Sequence, residues 1–136
     1  MAMIETDVLL ACMNPQDRHH EEAVKLITSL AGKLMLSPFS LIELDMLIRS
    51  GRIQVLDYHE FASALSDLLS LYDIRVLPDG PDIHELAWTL RNVHGLSFFD
   101  SPHASTAMAK GLMLYSYDRA YGRVEGLRWK KPSDVI

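Results

Sequence analysis

The apolar positions along the chain fall into short blocks of two kinds. Four blocks are brief: residues 3–7 (MIETD), with β-branched Ile4 and Thr6 and an acid at its end, 33–37 (KLMLS), nearly all apolar inside, 74–77 (IRVL) and 112–115 (LMLY). Runs of that length suit strands of a parallel sheet covered on both faces. The remaining blocks repeat at helical spacing. Ala23, Leu26, Ile27 and Leu30 mark a helix that Gly32 ends. Leu41, Leu44, Leu47 and Ile48 mark another, closed by Gly51, and Ser40 with Glu43 forms an SxxE capping-box pattern at its start. Residues 52–72 read as a connection and a helix with Phe61, Leu65, Leu68 and Leu69 on its apolar side, broken at Asp73. Ile83, Leu86, Ala87 and Leu90 mark a helix capped by Asp82, with Trp88 packed inward. Small residues dominate the block at 100–111, where Pro102 suits a first helical turn. A helix or helical turn begins over residues 8–12, residues 96–99 are a connection, and residues 124–129 supply an edge strand. Residues 130–136 are a polar tail expected to fray. Strands alternating with helices predict an α/β fold around a parallel four- or five-stranded sheet.

Four carboxylates share a position in that scheme. Asp7 ends the first strand, Glu43 opens the helix after the second, Asp100 opens the helix before the fourth, and Asp118 follows the fourth. Parallel topology brings such positions to the carboxyl edge of one sheet, where open α/β folds place their sites. Singly, each has a plain structural role: Asp7 as an N-cap, Glu43 in its capping box, the others at a helix start and a turn. Four ionised carboxylates together repel unless they are protonated or paired with a cation. An all-oxygen set suits Mg²⁺ or Mn²⁺, and no Cys or His spacing favours zinc. Asp7 and Asp100 are the first candidates for direct ligands, then Asp118, with Glu43 ligating through water or orienting one. Such a cation fits phosphodiester hydrolysis. Ser116 is placed to bond Asp118 or a water, or to fix the turn. His103, three residues after Asp100, is a candidate for contact with phosphate or with Asp100, and Arg119 and Arg123 for positioning a nucleic-acid backbone. His19 and His20 read as surface residues at a polar helix start.

Composition changes this picture in two ways. The 136 residues, 49% of them hydrophobic, are enough for one domain over 1–136 with its core within 3–129. The formal charge of -5, from 18 acidic and 13 basic residues, lacks the general basic footprint of a nucleic-acid binder. A bound divalent cation would reverse that sign locally. The single cysteine, Cys12, excludes an internal disulfide and reads as a buried structural thiol. No apolar run approaches the roughly 20 residues that span a bilayer. The N-terminus has no signal-peptide pattern, so a cytoplasmic setting is expected. Walker and GxGxxG motifs are absent from the sequence.

In this order and spacing, IETDVLLA with Asp7, SPFSLIEL with Glu43, DSPHASTA with Asp100 and SYD with Ser116 and Asp118 resemble the PIN-domain family. The likeness is greatest to its VapC-like toxin ribonucleases and spans residues 4–127. It implies a three-layer α/β/α fold, Mg²⁺- or Mn²⁺-dependent RNA cleavage, a homodimer, and a small antitoxin protein over the acidic groove. Ser116 stands where the family often has threonine, and the hydroxyl is kept. The alternatives are an RNA-processing nuclease without an antitoxin and a non-catalytic RNA- or protein-binding scaffold. A receiver domain also gathers acids at a sheet edge. This chain lacks its adjacent acidic pair after the first strand and its late-strand lysine.

Overall fold

A computed structural model describes residues 1–135. The chain runs β1 (Ala2–Ile4), α1 (Thr6–Met13), α2 (His20–Ser29), β2 (Leu34–Leu36), α3 (Phe39–Arg49) and α4 (Tyr58–Leu71). It continues through β3 (Arg75–Val76), α5 (Pro81–His94), α6 (Asp100–Lys110), β4 (Met113–Tyr115) and β5 (Trp129–Lys130). Two 3-10 turns, Arg119–Arg123 and Pro132–Asp134, flank β5. The five strands form one sheet in the order β3-β2-β1-β4-β5, and every neighbouring pair is parallel.

β1 lies at the centre and is fully covered. Its register is set on both sides, with Ile4 opposite Leu36 of β2 and Tyr115 of β4. Successive strand residues point to opposite faces. Ala2 and Ile4 accordingly join one core with Val8, Leu9, Leu26 and Leu44, while Met3 joins a second core with Leu90, Ala104 and Leu114. Helices α1, α2 and α3 thus cover one face and α5 and α6 the other, giving three α/β/α layers. Among the described residues, no helix is long and apolar enough to cross a membrane.

The departures from the sequence pattern are local. The first strand ends at Ile4, so Asp7 lies in the first turn of α1 and Glu5 becomes its N-cap. The SxxE capping box does not form. Pro38 already has helical backbone, α3 starts at Phe39, and Ser40 sits buried inside it with its hydroxyl unpartnered. The next helix but one is capped by Gly80 rather than Asp82, because Pro81 takes its first position. Trp88 is 66% exposed instead of packed, since Ile83, Ala87 and Leu90 fill the inward stripe of α5. Cys12 is half-buried against the first core rather than enclosed. The final strand is Trp129–Lys130 alone, and the tail does not fray where it is described. Pro132 is buried and its 3-10 turn packs on α2. The end of the expected frayed tail, residue 136, lies outside the described residues.

This layering predicts unequal sensitivity to truncation. Leu114→Ala, which empties a fully buried site in the second core, should cost about 2–5 kcal/mol. Trp88→Ala should stay within about 0.5 kcal/mol. Chemical denaturation of the two variants measures both.

Candidate acidic site at the sheet edge

The carboxyl ends of β1 and β4, the first turns of α1 and α6, and one face of α3 meet around a cleft of about 370 Å³. Glu5, Asp7, Glu43, Asp100 and Asp118 all line it. Glu5 was not singled out from the sequence. It is 4% exposed and follows β1 directly. Its Oε1 accepts the Asp7 N–H at 2.9 Å, and its Oε2 accepts the Tyr121 hydroxyl at 2.9 Å. Burial, with the Glu43 and Asp100 charges added, pushes the Glu5 carboxyl up to about 7 against those two bonds.

Asp7 is held on both oxygens. Oδ1 accepts the Val8 N–H at 2.7 Å, and Oδ2 accepts the Ser116 hydroxyl at 2.8 Å and the Tyr117 N–H at 2.7 Å. It therefore ties α1 to the end of β4. Burial and the Glu5 charge raise it well above the carboxylate range. Ser116 is fully buried and binds Asp7, while its oxygen accepts the Asp118 N–H at 3.1 Å. Asp118 caps the following 3-10 turn by accepting the Ala120 N–H at 2.9 Å. Asp100 opens α6 beside it; burial and the Asp118 carboxyl push Asp100 up to about 6.

Glu43 differs in sign. Its Oε1 accepts the Thr6 hydroxyl and, at 2.9 Å, the Nε2–H of His103. Burial alone would raise this carboxyl, but the bonds from His103 and Thr6 outweigh it and hold it below its ordinary value. His103 does not face solvent, where a phosphate contact would require it. It is 0% exposed, with Nδ1 2.6 Å from the Ser37 hydroxyl. Both ring nitrogens are thus engaged, Nε2 with Glu43 and Nδ1 with Ser37. Arg119 and Arg123 are exposed on the 3-10 turn. His19 and His20 are half-buried; His19 stacks on Tyr117 at 3.9 Å, and His20 bonds the Ala11 carbonyl at 2.8 Å.

A divalent cation fits this donor set. Glu5, Glu43 and His103 each bring a potential ligand atom within 4.8 Å of the others; with both His103 nitrogens already bonded to Glu43 and Ser37, the carboxylates are the part of that group left for a cation. Among the described residues, no lysine or arginine forms an ion pair with any of the five acids. Buried carboxylates without a counter-charge call for a cation or for protons. A larger cleft of about 570 Å³ opens alongside, between α1 and the segment entering α4, and Leu10 lines both.

The sequence matches the profile of the PIN domain over residues 2–127. No curated protein matches it significantly. Among solved structures it is similar to VapBC2 from Rickettsia felis, bound to a DNA fragment from their promoter. That match has a TM-score of 0.77 and 18% identity, and covers 96% of this chain and 97% of that one. It is also similar to VapC20 of Mycobacterium tuberculosis, described as a sarcin-ricin loop cleaving toxin, with a TM-score of 0.71, 24% identity, and coverage of 90% and 93%. PAE2754 from Pyrobaculum aerophilum matches with a TM-score of 0.63, 23% identity, and coverage of 94% and 87%.

The raised carboxyls fix a pH dependence. Glu5 titrates near its ordinary 4.5 when unfolded and near 7 when folded, so the folded chain binds the extra proton between those values. Stability then declines as pH rises through that window. With a chelator present, Tm should fall from pH 4.5 to pH 7.5, and Mn²⁺ at pH 7.5 should restore it. Thermal scans across that range with and without Mn²⁺ check both directions.

Proposed function

Because the chain belongs to the PIN-domain family, we propose that it is an Mg²⁺- or Mn²⁺-dependent endoribonuclease that hydrolyses RNA phosphodiester bonds. One observation carries the reading: five carboxyls from four separate segments line one cleft, and among the described residues no lysine or arginine is paired to them. When bound, the cation supplies positive charge against the phosphoryl oxygens and acidifies water.

The chain's own residues do the rest. Glu5, Glu43, Asp100 and Asp118 are the candidates to hold the cation. Asp7 lines the same cleft and is a further candidate through Oδ1, which accepts a single N–H, while its Oδ2 clamps α1 to the end of β4. Ser116 and the Tyr117 N–H hold that clamp. His103 and Thr6 orient Glu43 and keep it ionised. Keeping the carboxylates fixed means little reorganisation is needed when charge develops on the substrate. Arg119 and Arg123, exposed just beyond Asp118, are suited to the RNA backbone.

The similar structures include a toxin–antitoxin complex from Klebsiella pneumoniae, VapBC-1 from nontypeable Haemophilus influenzae and DNA-bound VapBC from Salmonella typhimurium. They support a reading of this chain as the toxin of such a pair, a cytoplasmic single-domain protein that forms a homodimer and is covered by a small antitoxin. The absence of a membrane-spanning helix among the described residues is consistent with that location.

Purified protein should cleave RNA with Mg²⁺ or Mn²⁺ and stop when a chelator is added. Glu5→Gln and Asp100→Asn should lower cleavage more than about 100-fold while leaving the circular dichroism spectrum unchanged. Asp7→Asn should instead lower Tm by several degrees, because it disturbs the clamp. Full cleavage by folded Glu5→Gln would remove Glu5 from the site. Induced expression should arrest growth, and Asp100→Asn should relieve the arrest.

A further inference from the structure

Tyr121 is the bulkiest of the fully buried side chains. Its ring belongs to the second core, beside Met3, Leu90, Leu114 and Val124. A phenylalanine would fill that space equally well. The hydroxyl is a separate expense, since burying it is unfavourable unless it finds a partner. It finds two. It donates to Glu5 Oε2 at 2.9 Å and lies 3.2 Å from Asp100 Oδ1.

Those acids come from different parts of the fold, Glu5 from the end of β1 and Asp100 from the start of α6. A phenol carries one proton, so two carboxylate oxygens are drawn toward the same hydrogen. This fixes the spacing between them. It also turns Glu5 Oε2 and Asp100 Oδ1 toward the protein interior. Glu5 Oε1 is held by a single N–H and so keeps a lone pair, and Asp100 lines the cleft beside it. The position of the hydroxyl is itself secured. Asp118 caps the 3-10 turn that carries Tyr121, and the Tyr121 carbonyl accepts the Val124 N–H at 3.1 Å.

We propose that Tyr121 is a positioning residue of the metal centre, its buried hydroxyl holding the Glu5 and Asp100 carboxylates in the orientation a divalent cation takes up. The inference rests on the nuclease reading above and adds to it a residue that touches neither RNA nor metal. Partners of this kind, one bond behind the ligands, typically account for 10–100-fold in metal affinity or activity.

Tyr121→Phe removes the hydroxyl and keeps the ring. Calorimetric titration of the full chain with Mn²⁺, without RNA, should show binding weakened by about 10-fold or more. In RNA cleavage kcat should fall with KM nearly unchanged. Val124→Ala disturbs the same core without touching a carboxylate; it should lower Tm and leave the Mn²⁺ Kd unchanged. An unchanged Kd in Tyr121→Phe, with the wild type binding Mn²⁺, overturns the role of Tyr121 and leaves the nuclease reading standing. Wild-type protein that binds no Mn²⁺ overturns both. Equal weakening by Val124→Ala makes the effect one of general packing and overturns the positioning role. A Mn²⁺-soaked crystal of the wild type tests the same point without a variant. The hydroxyl should remain within hydrogen-bond distance of Glu5 and Asp100, and a phenol displaced from both overturns the proposal.

Discussion

Like charge confined at the centre of the sheet is the constraint on which the site depends. Glu5 is buried at the end of the central strand, with Asp7, Glu43 and Asp100 as close neighbours. No lysine or arginine is paired with them among the described residues. What holds the group together is a shell of hydrogen-bond donors. Backbone N–H groups come from α1 and from the residue after Ser116, hydroxyls from Thr6, Ser116 and Tyr121, and an imidazole from His103. Hydrogen bonds lower the cost of each charge without cancelling it. The residual field is the property that makes the cleft attractive to a cation. It also reconciles an acidic protein with an anionic polymer as substrate, because the ion inverts the sign at the one place where contact matters.

The strand order explains why the acids meet there. From β1 the chain moves outward through β2 to β3, then crosses back over β1 to reach β4 and β5. The crossover connections diverge between β1 and β4, and ligands of open α/β folds bind in the crevice outside that point. Glu5 closes one of these two strands and Ser116 follows the other. The strands have two or three residues each, so this edge is reached almost as soon as each strand begins. Most of the sheet's length is given over to displaying the side chains that follow it.

Much of the fold was legible in the sequence, because its helices are long and periodic and its strands are short, continuous apolar runs. Asp7, Glu43, Asp100 and Asp118 were legible as a group because each stands beside such a run, and the structure brings them to one cleft. Glu5 was not. In ETD the two acids are two residues apart, and in an extended chain such a pair faces the same way. A strand read on to Asp7, three residues past its observed end, therefore hides Glu5 inside the strand without violating any pattern. The available signal was the apolar run after Thr6, which can continue a helix begun at Thr6 itself. The partners of Tyr121 and of His103 were illegible for another reason. The hydroxyl and the imidazole find them more than twenty residues away in sequence, and local spacing carries no trace of such pairs. The missing capping box at Ser40 shows the converse: a local motif gave way because Pro38 started the helix early and Glu43 had stronger partners elsewhere.

Helix α4 stands apart from the rest of this construction. None of its residues is fully buried, and Phe61 borders a cleft on each side of it, one against α1 and one against α3. Segments held by few enclosed apolar contacts open at a small fraction of the global unfolding free energy. By that measure α4, laid on the first core through Phe61, Leu65, Leu68 and Leu69, is less enclosed than β1, whose three residues are all buried. The larger cleft is thus walled on one side by the less enclosed helix, while the acidic cleft stands at the end of the innermost strand.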